Sequence, residues 1–133
     1  MSMPLKERLT LALLDEYKYR ATYAKILEKF GPVRPFVNIY EAEGRHVEAL
    51  IRLFETYRIE IPVDHWPCHI TVPATLKEAC QQAVDAEQDN MTMYDRILAD
   101  TSEPDVRRVL LNLQAASRDR HLLAFERCAN RPD

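Results

Sequence analysis

Apolar residues recur at helical spacing along four long stretches of the chain, and polar, proline-bearing segments separate them. The first stretch runs from about Pro4 to Phe30, with Leu5, Leu9, Ala12/Leu13, Tyr19, Tyr23, Ile26/Leu27 and Phe30 on one stripe. A proline at its start and Gly31 just beyond its end are the boundary signals of a helix. The second runs from about Pro35 to Tyr57 through Phe36, Ile39/Tyr40, Val47, Leu50 and Leu53/Phe54. The third starts after Thr75, whose pairing with Glu78 predicts a capping box, and runs to about Ala99. The fourth starts after Ser102, with Asp105 three residues on as a looser box and Pro104 in the first turn, and runs to about Ala129. Between the second and third, residues 58–74 hold Pro62, Pro67 and Pro73, which predicts a long irregular connection.

This pattern predicts an all-α fold. Four amphipathic helices with short first and third links pack naturally as an antiparallel four-helix bundle, and the longer link makes a crossover between the second and third helices. A simple up-down bundle fits the same pattern. The 133 residues suffice for one domain, 1–133, with its own core.

Composition narrows the function. Only two glycines occur, Gly31 and Gly44, so phosphate loops and dinucleotide fingerprints drop out. The net charge is -3 and the basic residues are scattered, which argues against nucleic acid as a partner. No apolar run is long enough for a membrane span, and "MSMPLKERLT" has no signal-peptide core. Three cysteines, Cys68, Cys80 and Cys128, are an odd number without metal-type spacing, which predicts free thiols in a cytoplasmic setting.

The informative positions are those that interrupt the stripes. Glu16 breaks the first, Glu43 and His46 the second, Glu87 and Asn90 the third, and His121 the fourth. Taken singly each has an ordinary explanation: a glutamate at a stripe edge reaches solvent, with Arg20 as a helix partner for Glu16, and a lone histidine is a satisfied core residue. Together they fall at one level of a bundle. Three carboxylates converging with two imidazoles repel one another, and burying one unpaired costs roughly several kcal/mol. A divalent cation relieves that cost, using carboxylate oxygen and imidazole nitrogen as ligands. Glu43 and His46, three apart on one helix, can reach the same ion. Gly44 between them costs about 1 kcal/mol in mid-helix and predicts a close approach by a neighbour.

The stretches "LLDEYKYRATYAKILEKFG", "NIYEAEGRHVEALIRLFETY", "AVDAEQDNMTMYDRIL" and "PDVRRVLLNLQAASRDRHLLAF" resemble the ferritin-like superfamily, nearer its rubrerythrin-like and uncharacterised bacterial members, over roughly residues 9 to 128. The resemblance implies that Glu16, Glu43, His46, Glu87 and His121 are metal ligands. It also implies iron or manganese as cofactor and an oxygen- or peroxide-linked redox role. The sequence departs from that pattern on the fourth helix, where Arg118 stands three residues before His121 in place of a ligand glutamate. An inward Arg118 would pair with the carboxylates and replace part of a metal's charge. One ion per chain, or none, then becomes credible, and so does a non-catalytic scaffold or interaction module whose site has degraded. No rubredoxin-type cysteine pairs occur, so electrons would come from elsewhere.

Three further features complete the reading. "VDHWPCHI" offers Asp64, His65, Cys68 and His69 as a zinc set, weighed against a loop pinned by Trp66 and Ile70. Tyrosines 17, 19, 23, 40 and 94 read as packing residues, any one of which near the site would donate a hydrogen bond or relay electrons. Ile51, Leu111 and Leu122 lie off the main stripes and predict a homodimer.

Overall fold

The computed structural model describes residues 2–132. Among them the chain is all-α, without a strand: α1 (Leu5–Phe30), α2 (Phe36–Thr56), a 3-10 turn (Trp66–Cys68), α3 (Leu76–Ala99), α4 (Pro104–Ala116), a π-helical turn (Ser117–His121) and α5 (Leu122–Ala129). Backbone angles remain helical through Ala116, Ser117, His121 and Leu122, so α4, the π turn and α5 form one continuous rod. The long helices are thus four.

The ends follow from local chemistry. Gly31 stops α1 at φ 84°, a conformation that costs glycine nothing, and its N–H donates to Leu27 O. After α2 the chain turns at Arg58, at φ 55°. Arg58 N–H donates to Glu55 O and Ile59 N–H to Phe54 O, the paired bonds of a Schellman ending, with Ile59 packed on the core beside Phe54. Thr75 Oγ1 accepts from Glu78 N–H at 3.1 Å, as the capping pattern predicts. Ser102 does not cap α4. Glu103 holds that position, with Pro104 first in the helix. Its carboxylate instead meets Arg8, 5% exposed, which also donates to Thr101 Oγ1 at 2.9 Å.

The apolar interior falls into two clusters. One gathers Leu9, Leu13, Val47, Leu50, Phe54, Tyr94, Ile97 and Leu110. The other gathers Tyr19, Tyr23, Ile26, Phe36, Ala83 and Phe125. α1 passes from one to the other around Glu16, α2 around Glu43, α3 around Glu87 and the fourth rod around His121. A buried polar layer therefore separates the two apolar halves.

Several expectations change. Cys80 and Cys128 are not free: they form a disulfide between α3 and α5, with Cα atoms 5.8 Å apart, and Cys68 alone is a free, exposed thiol. Ile51 and Leu122 pack partly buried against the chain's own clusters, while Leu111 is exposed. A β-carbon on Gly44 would meet nothing within 4 Å, so no neighbour's approach accounts for that glycine. No helix is long and apolar enough to cross a membrane, among the described residues.

Candidate metal centre

Glu16, Glu43, His46, Glu87 and His121 all enter the polar layer. The three glutamates are at most 1% exposed and His121 is 3% exposed. His46 Nδ1 lies 3.6 Å from Glu16 Oε2 and 3.6 Å from Glu43 Oε2. His121 Nδ1 lies 3.2 Å from Glu43 Oε1 and 3.5 Å from Glu87 Oε1. The two imidazoles are near-parallel, 5.6 Å between centroids at 21°. Ligand atoms of Glu16, Glu43 and His46 lie within 4.8 Å of one another, and so do those of Glu43, Glu87 and His121. Glu43 belongs to both groups.

Two tyrosines, which the sequence left undistinguished among five, anchor the outer carboxylates. Tyr94 Oη donates to Glu16 Oε1 at 2.8 Å, and Tyr23 Oη to Glu87 Oε1 at 3.2 Å. Both hydroxyls are buried, and burial first, then the facing carboxylate charge, holds their pKa far above the ordinary tyrosine value. They are donors throughout the physiological range. Each outer carboxylate thus has one oxygen tethered and one free.

Burial and then the charge of Glu43 push the Glu16 carboxyl well above the usual range. Burial acts the same way on Glu43, but its contacts with Glu16, His121 and His46 outweigh burial and hold it below that range. Burial would lower His46, yet Glu16 and Glu43 raise it to about 10. Burial is likewise outweighed at His121 by Glu43 and Glu87. Burial raises Glu87 as well, so without a cation the layer limits its own charge by favouring the protonated forms of Glu16, Glu87 and the imidazoles.

That balance leaves five buried side-chain atoms without a hydrogen-bond partner: Glu16 Oε2, Glu43 Oε2, His46 Nδ1, Glu87 Oε2 and His121 Nδ1. Orphaned buried polar atoms are rare, and each costs about 1–3 kcal/mol. Here the orphans come one from each of the five residues. Three carboxylate oxygens and two imidazole nitrogens are a donor set that suits a divalent first-row metal, so the residues fit the group.

Arg118 does not enter the layer. Its side chain is 58% exposed and bound to Asp119 at 2.8 Å. The physical reason is the π turn. Its wider i→i+5 pattern adds a residue to the turn, so the residue four before His121 shares its face. That residue is Ser117, 3% exposed. Ser117 Oγ donates to Asn90 Oδ1 at 2.9 Å, and Asn90 Nδ2 donates to Asp15 Oδ2 at 2.8 Å. A neutral hydroxyl and amide occupy the place where an arginine was expected. The same shift buries Phe125 completely and leaves Ala124 half-buried, against the 3.6-residue stripe.

The second set does not assemble. His65, Cys68 and His69 are exposed, and Asp64 is committed to Arg20 at 3.2 Å and to Trp66 N–H at 3.0 Å. Arg20 is thereby also lost as a partner for Glu16. Trp66 packs partly buried on the core under Lys18, as a pinned loop requires.

No family profile and no curated protein matches the chain. Among solved structures, it is similar to the crystal structure of a hypothetical protein from Methanococcus jannaschii DSM 2661. The TM-score is 0.84 and the identity 23%, over 98% of this chain and 84% of that one. At that identity the likeness is one of fold.

Proposed function

We propose that this chain is a ferritin-like, rubrerythrin-like metal protein: an antiparallel four-helix bundle with a crossover between α2 and α3, whose polar layer holds iron or manganese. The observation that carries the reading is that the five orphaned buried atoms belong to the five titratable residues among the six that interrupt the stripes, the sixth being the hydrogen-bonded Asn90. Two three-residue groups sharing Glu43 support two ions per chain rather than one. Glu16 and His46 would hold the first, Glu87 and His121 the second, and Glu43 would serve both.

Bound iron or manganese would supply one-electron redox chemistry towards oxygen or peroxide. The chain's own contribution is orientation and exclusion. Tyr94 and Tyr23 fix one oxygen of Glu16 and Glu87 and leave the other for a ligand role. The two apolar clusters keep bulk water from the layer on both sides. A metal-free scaffold or interaction module is the competing reading. It loses the arginine that would have neutralised the site, because Arg118 faces solvent. A homodimer through the exposed Leu111 and Leu123 is compatible with either.

The test is metal analysis of protein purified without chelator, followed by anaerobic titration of stripped protein with ferrous iron and with manganese. Saturation near two ions per chain, with a rise in melting temperature, is expected. No stoichiometric binding and an unchanged melt would establish the scaffold reading instead.

A further inference from the structure

Two dipeptides repeat across the site. Arg45 precedes His46 on α2, and Arg120 precedes His121 on the π turn. In each, the histidine turns into the polar layer and the arginine stays outside. Between the two walls opens a pocket of about 370 Å³ lined by both arginines and both histidines. Asn38 adds an amide, and Ile39, Ala42 and Ala124 give apolar wall. No carboxylate lines it, in a chain of net charge -3. Neither guanidinium makes a hydrogen bond or close ion pair with another described residue; Arg120 feels the charge of Asp119, which Arg118 holds, so both forks are available.

We infer that this pocket binds a small organic oxyanion, held by Arg45 and Arg120, with its apolar part against Ile39, Ala42 and Ala124 and its head beside His46 and His121. The inference deepens the metal reading by naming a substrate class, and rests on it only for what the anion then undergoes. Guanidinium forks match two-oxygen anions, and two of them across one opening select a carboxylate or a phosphate over a neutral molecule. The volume exceeds that of a bare anion, and the apolar walls give the excess a purpose. The pocket also lies on the histidine side of the layer, where an anion would neutralise the positive charge that Arg45 and Arg120 bring together.

The experiment is calorimetric titration of metal-stripped protein at constant ionic strength with inorganic phosphate and with acetate, butyrate and hexanoate. The same titrations are run on R45Q/R120Q and, as control, on R118Q. Saturable binding that tightens along the carboxylate series, by up to about fourfold per methylene, is expected. It should weaken at least about tenfold in R45Q/R120Q and stay unchanged in R118Q. Phosphate binding as tightly as hexanoate would show that only the oxyanion head is recognised and overturn the organic part. Equal affinity in the parent and R45Q/R120Q, or no saturable binding, would overturn the whole inference. Because the protein is stripped, these outcomes are independent of metal uptake: a chain that binds anions but no metal would sink the metal reading and leave the pocket standing.

Discussion

His121 Nδ1 lies 3.2 Å from Glu43 Oε1, a contact that joins the fourth rod to α2 through the one residue common to both candidate ligand groups. Glu43→Gln is therefore expected to differ in kind from Glu16→Gln and Glu87→Gln. Each outer substitution should lower uptake by one ion per chain, while Glu43→Gln should lose both or weaken both at least about tenfold. Metal stoichiometry of the three variants decides it. A Glu43→Gln protein that keeps one ion at parental affinity would show that the two groups are independent.

The response to pH should reverse with metal. His46 is raised to about 10 in the folded, metal-free chain, against an ordinary value of about 6.5. Its contribution to stability is fully present below the unfolded value and lost as pH rises through the folded one. Glu16, raised by burial and by Glu43, has the same sign from its ordinary carboxylate range upward. The metal-free protein is expected to lose stability as pH climbs from neutrality to about 10. Ligands must shed protons to bind a cation, so the stabilisation gained from added manganese should grow over the lower part of that range. Chemical unfolding at several pH values, with and without manganese, measures both slopes. Parallel slopes would contradict the ligand assignment.

Arg118→Glu should change little. The side chain is exposed and its partner is the equally exposed Asp119, so solvent screens the pair and it contributes little to stability. Neither the number nor the affinity of bound ions is expected to move. An extra ion bound by this variant would mean that the fourth rod can shift by one residue and turn position 118 inward.

Gly44→Ala should stabilise the protein. Gly44 lies within α2, a β-carbon there meets nothing within 4 Å, and alanine is favoured over glycine in mid-helix by about 1 kcal/mol. Thermal melts of the metal-free forms are the measurement. A lower melting temperature would point to a role for the glycine that its surroundings do not reveal.

Unreduced protein, denatured and assayed with a thiol reagent, should show one reactive cysteine, Cys68, because Cys80 and Cys128 are joined. The bond closes a loop spanning 48 residues, which in the chain-entropy view stabilises the fold by about 4 kcal/mol. Reductant should lower the melting temperature accordingly. Three reactive thiols without reductant would show that the bridge does not form.

Much of this molecule was legible in one dimension. Apolar spacing, Gly31, the Thr75 cap and the prolines of residues 58–74 place the four long helices, because periodicity and end chemistry are local properties. The five residues of the polar layer were also legible, since a charge in an apolar stripe is visible without coordinates. What they do to one another was not. That Glu43 lies between the imidazoles, and that Tyr23 and Tyr94 rather than three other tyrosines hold the outer carboxylates, depends on how four helices meet. Arg118 was misplaced for a specific reason: counting by 3.6 residues assumes an unbroken α-helix, and the π turn at Ser117–His121 shifts every later side chain by one position. That shift puts Ser117 rather than Arg118 on the face of His121, and brings in Phe125 in place of Ala124. The Cys80–Cys128 bridge escaped for a related reason, because composition counts cysteines but only packing brings α3 and α5 close enough to join them.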